Sequence, residues 1–463
     1  MKPQKPLVAL CPIGKFVFSN EEAIRHKKLI QQKLRDLGIE FVDLDDVLED
    51  GLVKDQRHVA AAVEFFQSKN VGALFMPHGN FGTEGAVGMI AKHLNVPTLI
   101  WGPRDSMPLA DGSRSRDSLC GLFASSKVLH KLGIPFTYIE NCFVDDVQFI
   151  EGIDTFVRAA AVAKLFKKGM RIGQIGQRID FFWSTIISES ELLEQFNIQV
   201  IPIDLVEVIQ SAKSRANENQ AAYDQEIARL RGTFVIEGFD EDETPLINIL
   251  AARDEILELA ETHTLDGIAF QPFPSFVKAM GAYGNLMASD VSELYAFGNE
   301  TDIHGTISCL MTQAADLNMN PSFLAEFTNR HPENDNGVLL WHGSAPLSMS
   351  HPDEQVKIGK HWIFPSPVSG MVHQRLKDGP LTLARFDGDR GEYKPAVGEG
   401  HSTEGPATQN SYLWAEVNDW PAWERTLMEG PFIHHVAMSY GHHSKALVEA
   451  CKYIPGLDPV PLP

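Results

Sequence analysis

The sequence predicts an α/β protein: two parallel-sheet α/β domains followed by a smaller C-terminal β-barrel-like domain. Strand-like and helix-like periods alternate along most of the chain, the rhythm of a parallel sheet covered by helices. Near Ser344 that rhythm gives way to short alternating strands broken by Gly and Pro, the pattern of a barrel or sandwich. The length of 463 residues, at roughly 150 residues per domain, leaves room for about three such units.

Taken in order, LVALCPIG reads as a buried strand, EEAIRHKKLIQQKLRDLG as an amphipathic helix ending at Gly38, and IEFVDLDD as the next strand. The unit recurs in HVAAAVEFFQSKN, VGALFMP, GAVGMIAKHLN and VPTLIWG, and the helix FVRAAAVAKLFKK closes a first domain over residues 1–168. A second α/β domain, residues 169–343, starts at RIGQIGQR and passes ESELLEQFN, IQVIPIDL and the polar helical stretch SAKSRANENQAAYDQEIARL. It continues through NILAARDEILELAETH, DGIAFQPF, TISCLMTQAADL, PSFLAEF and GVLLWHG. Residues 344–463 form the β domain, with strands in PLTLARF, GEYKPAVGEG and SYLWAEV, a terminal helix HSKALVEACKYI and a Pro-rich strap.

Composition excludes several function classes. Hydrophobic residues at 44% and charged residues at 22% are ordinary globular values. Sixty-one acidic against forty basic residues give a net charge of -21, which repels phosphate backbones and anionic lipid, so neither nucleic acid nor membrane is an expected partner. An anionic substrate would need a local positive site such as Arg178 or Arg104. Five cysteines without CxxC spacing argue against both a disulfide framework and a thiolate zinc site. No apolar run reaches the ~18 residues of a membrane span, and the first residues lack a signal-peptide pattern, so the expected location is the cytoplasm.

Three polar residues follow apolar runs: Glu300 after SELYAFGN, Glu326 after PSFLA, and His342 after GVLLW. The intervening TISCLMTQAADL, ~18 Å of helix, is long enough to return the chain beside the preceding strand. Each residue is then expected at the C-terminal end of a parallel strand, the edge where open α/β sheets bind ligands. Two carboxylates and an imidazole there suit Mn²⁺, Co²⁺ or Mg²⁺ better than structural zinc. A lone Glu at a strand end is more often a cap partner or a solvated loop residue; the joint placement is what carries weight. Asp302 and His304 compete as ligands, although capping the helix that begins near Gly305 is the simpler role for Asp302. In FIHHV, His434 and His435 lie in an extended segment, where one can face a site while the other packs elsewhere.

In the ordered set NETDIHG, PSFLAEF, LLWHG and IHHV the chain resembles the L-fucose isomerase and L-arabinose isomerase family of aldose-ketose isomerases. The resemblance implies that Glu300, Glu326, His342 and His435 bind Mn²⁺ or another divalent cation. It further implies that Glu300 and Glu326 handle protons while an open-chain aldose and ketose interconvert through a cis-enediol. It implies a homo-oligomer, commonly a hexamer, in which the first domain of one subunit helps enclose the site of its neighbour; His78, Trp101 and Arg104 are the candidates for that contribution.

Further substrate-facing candidates are Gln177 and Arg178 after RIGQIG, Trp183 in the aromatic run beyond them, Gln271 after GIAF, and His434. Each also has a plain reading as a loop or packing residue. HGNFGTEG resembles a phosphate-cradling turn, but its spacing is GxxGxxG and no GK[ST] follows, which weakens a nucleotide-using oxidoreductase reading. The other competing reading is a non-catalytic sugar-binding or regulatory protein of the same fold.

Overall fold

The computed structural model describes residues 5–361 and 368–463. The chain divides into two compact units. One gathers Glu449–Pro455 with the N-terminal residues through Lys164; the other comprises Leu165–Val448 and Gly456–Pro463.

The first unit is built on a five-stranded parallel sheet of β1 (Val8–Leu10), β2 (Phe41–Val42), β3 (Ala73–Pro77), β4 (Thr98–Trp101) and β5 (Thr137–Tyr138), in the order β2-β1-β3-β4-β5. β1 and β3 are apolar and fully buried, as the central strands of a helix-covered parallel sheet must be. The first helix, Asn20–Asp36, is set by its ends: Ser19 caps it by accepting from the Glu22 N–H, and Glu21 and Glu22 in its first turn and Lys33 and Arg35 in its last complement the helix dipole. The segment Glu449–Pro455 returns to this sheet, where the Tyr453 hydroxyl donates to the Thr98 carbonyl at 3.0 Å.

The GxxGxxG turn is a packing device. Gly82 has φ +111° and lies so close to the His78 ring that a Cβ would come within 2.4 Å of it, and a Cβ at Gly79 would press on Ala23 at 3.1 Å. His78 itself is fully buried, with Nε2 2.7 Å from the Ser125 hydroxyl and Nδ1 3.1 Å from the Met76 carbonyl. Burial pushes its imidazole down to about 4, and His26 falls to about 4 through burial and the neighbouring Arg116 and Arg25. Both rings are therefore neutral in the folded unit and gain a proton on unfolding near the ordinary histidine value. Stability should fall as pH drops from about 6.5 toward 4, His78 alone accounting for on the order of 3 kcal/mol. Amide exchange of strand Ala73–Pro77 should accelerate across that window, and a flat profile would contradict the assignment.

The second unit begins with a four-stranded parallel sheet. Its strands are β6 (Met170–Ile175) and β7 (Ile198–Ile203), then, past a short β8 (Val235–Ile236) that pairs elsewhere, β9 (Gly267–Phe270) and β10 (Ala296–Asn299). Their order is β10-β9-β6-β7. The predicted long polar helix is two helices, Leu205–Glu218 and Gln220–Thr233, meeting at Asn219.

Beyond the helix Ile303–Ala315 the chain turns antiparallel with β11 (Phe323–Arg330) and β12 (Gly337–His342). After β13 (Lys357–Lys360) and β14 (Ser369–Arg375) come β15 (Pro380–Asp389), β16 (Glu392–Ser402), β17 (Ser411–Val417) and β18 (His435–Tyr440). Strands β16-β15-β18-β11-β12-β17 run antiparallel, and the β16–β17 pairing closes them into a six-stranded barrel. β14, β13 and β8 extend the sheet from β17, and β19 (Val460–Pro461) straps onto β16. Phe323, Ala325, Val338, Leu340, Leu381, Leu383, Val436 and Met438 form much of the barrel core, the alternate positions that a two-residue period selects.

This corrects one expectation. Glu300 does follow a parallel strand, but Glu326 and His342 do not end parallel strands; β11 and β12 pair antiparallel with each other and belong to the barrel. Among the described residues, no helix is long and apolar enough to cross a membrane.

Candidate metal centre

The strands converge four side chains. Glu326 on β11 lies directly opposite His435 on β18, so the two-residue period puts both on one face of the barrel wall. His342 ends the neighbouring β12. Glu300 arrives from the parallel sheet on a strained turn: Glu300 and Thr301 both adopt left-handed backbone, φ +60° and +59°, a conformation that costs non-glycine residues ~1–3 kcal/mol each. Thr301 N–H donates to the Phe270 carbonyl and its hydroxyl to the Gln177 carbonyl, which hold the turn in place.

One ligand atom from each of Glu300, Glu326, His342 and His435 lies within 4.8 Å of all the others. His435 Nε2 is 3.3 Å from Glu300 Oε2 and 3.5 Å from Glu326 Oε1, and His342 Nε2 is 3.7 Å from Glu326 Oε1. Both rings are oriented from behind. The Nδ1 of His342 is 2.9 Å from the Leu324 carbonyl, and the Nδ1 of His435 is 2.9 Å from Asp302 Oδ2. An Nδ1–H donated backwards turns each Nε2 toward the cluster, where it would hold a cation that displaces any Nε2 proton, the arrangement found behind metal-bound histidines. Glu300 Oε2 and His435 Nε2 are buried and face each other at 3.3 Å without forming a hydrogen bond. Such atoms are costly unless something else satisfies them.

The electrostatics agree. Burial alone would lower the His435 imidazole, but Asp302, Glu300 and Glu326 hold it well above the ordinary histidine value. Burial alone would raise the Glu326 carboxyl, yet the imidazoles of His342 and His435 hold it down to about 2. Three carboxylates around one imidazole make a site that favours cations. Two carboxylate oxygens and two imidazole nitrogens, with no thiolate, fit a first-row or alkaline-earth divalent ion.

The remaining candidates divide. Gln177 and Gln271 are brought to the same sheet edge as Glu300: Gln177 N–H donates to Gln271 Oε1 at 2.9 Å, and the Gln177 carbonyl accepts from Thr301. Trp183 is 75% exposed on the loop that follows. His434 borders the cluster, with Nε2 3.7 Å from Glu326 Oε1, and keeps part of its ring exposed. Arg178 turns inward on its own loop, its Nη1 donating to the carbonyls of Ile179, Asp180 and Phe182, and so braces backbone where sugar oxygens were expected. His78 and Trp101 are enclosed inside the first unit, Trp101 packing on Phe75 and Phe149 and donating to Cys142 Sγ. Arg104 is exposed, with its guanidinium 6.0 Å from the Phe143 ring.

Sequence reasoning did not find Arg385, Asp387 or the full role of Asp302. Asp302 caps the helix Ile303–Ala315 by accepting from Gly305 N–H, as expected, but also holds His435 and pairs with buried Arg385. The available signal was RFD, two charges inside an otherwise apolar strand.

Two parallel α/β sheets, a closed six-stranded barrel and a buried two-glutamate, two-histidine cluster define an α/β and barrel protein with a candidate divalent-cation centre. Residues 10–167 match the family model described as fucose/sulfoquinovose isomerase, N-terminal domain, and residues 353–456 match L-fucose isomerase, C-terminal domain. The chain belongs to the fucose isomerase family of sugar isomerases. No curated protein matches it. Among solved structures, it is similar to a periplasmic solute-binding protein of an ABC transporter from Actinobacillus succinogenes 130z with bound D-allose, at 13% identity over 59% of this chain and 81% of that one, TM-score 0.18. A solute-binding protein from Burkholderia multivorans matches at 12% identity over 68% of this chain and 96% of that one, also with TM-score 0.18. Scores this low carry no argument about fold or function.

Proposed function

We propose that the protein is a divalent-cation-dependent aldose-ketose isomerase acting on an open-chain sugar, with Mn²⁺ as the first candidate ion and Co²⁺ or Mg²⁺ as alternatives. The observation that carries the reading is the buried convergence of one ligand atom each from Glu300, Glu326, His342 and His435 within 4.8 Å of one another, with two imidazoles whose Nδ1 atoms are already engaged. Glu300, Glu326, His342 and His435 would hold the ion. Bound there, a divalent cation supplies Lewis-acid polarisation of the sugar carbonyl and charge stabilisation of the enediolate.

The chain's own residues supply the proton transfers. In the aldose-to-ketose direction a carboxylate takes the proton from C2, the C2–H electron pair becomes the C1–C2 double bond, and the carbonyl oxygen at C1 gains a proton, giving the cis-enediol. Return of a proton to C1 and loss of the O2 proton complete the ketose, and the reverse direction exchanges the roles. Glu300 and Glu326 are the two carboxylates proposed for these transfers, and either can be the one that takes the C2 proton. Gln177, Gln271, His434 and Trp183 are the candidates for sugar contacts.

The test is a product screen by NMR or chromatography with Mn²⁺ across pentoses, 6-deoxyhexoses and acidic or sulfonated hexoses. Conversion of at least one sugar, abolished by EDTA and restored by Mn²⁺, is the expected result. Undiminished turnover in EDTA would overturn the metal assignment, and sugar binding without conversion under any divalent ion would favour a binding protein. Light scattering on the same sample reports whether the chain is the homo-oligomer, a hexamer by resemblance, that the proposal includes.

A further inference from the structure

Behind the cluster lies a second layer of charge that the proposed chemistry does not itself use. Arg385, on β15, is 1% exposed. Its guanidinium forks onto Asp302, with Nη1 on Oδ2 and Nη2 3.2 Å from Oδ1, while its Nε donates to Asp387 Oδ2 at 2.9 Å. Asp302 is fully buried and its oxygens are fully used: Oδ1 accepts from Gly305 N–H and Arg385, Oδ2 from His435 and Arg385. Asp387 is held in turn by His304 Nδ1 at 3.1 Å and by the Gly388 N–H at 2.9 Å. A continuous run of buried polar contacts thus leads from His304 through Asp387, Arg385 and Asp302 to the Nδ1 of His435.

Buried ion pairs are a poor way to stabilise a fold, since apolar side chains of similar volume are often as good or better. This one joins the barrel strand β15 to the turn that follows parallel strand β10, and its far end is the imidazole whose Nε2 faces Glu300 and Glu326. The planar, bidentate fork fixes the Asp302 carboxylate plane, and that plane fixes the His435 ring, a task a lysine cannot reproduce. We infer that Arg385 is a positioning residue: by clamping Asp302 it holds His435 with Nδ1–H pointed away from the cluster and Nε2 pointed into it, tuning the affinity of the centre for its cation. The inference rests on the proposed reading of the cluster as a cation site.

The experiment compares Mn²⁺ binding to the full-length wild type, Arg385→Met and Arg385→Lys by calorimetric titration of the metal alone, with kcat measured at limiting and saturating Mn²⁺. Loss of an outer-shell partner typically weakens metal affinity 10–100-fold. Arg385→Met is expected near the upper end of that range and Arg385→Lys near tenfold, with saturating Mn²⁺ recovering much of kcat and leaving the KM for sugar little changed. Arg385→Lys keeps the buried positive charge, so it carries the test should Arg385→Met fail to fold. Wild-type Mn²⁺ affinity in a folded Arg385→Lys variant would overturn the positioning role while leaving the cation site intact. A wild type that takes up no divalent cation at all would overturn the proposed function and this inference together.

Discussion

Replacing Glu326 by glutamine is expected to lower kcat by about 10²–10⁴-fold, the usual worth of a positioned acid or base. The change is nearly isosteric, so the barrel should remain folded. What it removes is specific: Glu326 Oε1 faces His435 Nε2 at 3.5 Å, His342 Nε2 at 3.7 Å and His434 Nε2 at 3.7 Å, and its carboxyl is held down to about 2. The amide has no basic oxygen and no charge to offer either a proton or a cation. The measurement that separates these losses is exchange of the substrate C2 hydrogen with solvent deuterium at saturating Mn²⁺. A proton-transfer role requires that exchange to fall with turnover, in both sugar directions. If exchange persists while metal affinity collapses, Glu326 is a ligand only and Glu300 carries the base chemistry.

Why these four residues could be picked from the chain, and Arg385 could not, has a physical reason. Glu300, Glu326, His342 and His435 each interrupt or end an apolar run, and a polar group at the end of a buried segment is conspicuous whatever the segment becomes. Whether that segment is parallel or antiparallel is not conspicuous. PSFLA and GVLLW are continuous apolar stretches that read alike in a doubly covered parallel sheet and in a barrel wall. The partner that decides the matter, β18, enters more than a hundred residues after β11. Arg385 and Asp387 alternate with apolar neighbours as solvent-facing strand residues do, and their buried partners Asp302 and His304 lie 83 residues earlier in the chain. The left-handed backbone at Glu300 and Thr301 was invisible for the opposite reason: Gly298 and Asn299 precede the turn, but the two left-handed positions are neither glycine nor asparagine, and hydrogen bonds around them hold the strain. His78 and Trp101 stand at strand ends, the right kind of place for ligand contacts, and nothing in their sequence neighbourhood signals that both are fully buried.

The second large effect concerns the platform itself. Trp423, in the helix Trp420–Glu429, is fully buried among the barrel-core side chains, donates its Nε1–H to the Pro463 carbonyl, and lies so close to β16 that a Cβ at Gly398 would come within 2.3 Å of its ring. Trp423→Ala would leave a cavity that these strands cannot collapse around, and should cost about 3–5 kcal/mol, about 5–8 °C of Tm for a unit of this size. The core that Trp423 fills also contains Phe323 and Ala325 of β11 and Val436 and Met438 of β18, the two strands that carry Glu326 opposite His435. Cation binding to the folded state alone adds stability by mass action, ~2.7 kcal/mol at a hundred times the Kd. Because the cross-strand pair sits on the wall and not in the cavity, Trp423→Ala should keep most of that Mn²⁺-dependent rise in Tm while starting from a lower baseline. His435→Ala should abolish the rise, with its own baseline lowered because Asp302, Glu300 and Glu326 lose a buried partner. Thermal melts of both variants with EDTA and with Mn²⁺ distinguish a barrel that supports the centre from one whose stability and cation binding are inseparable; equal loss of the Mn²⁺ increment in the two variants would establish the latter.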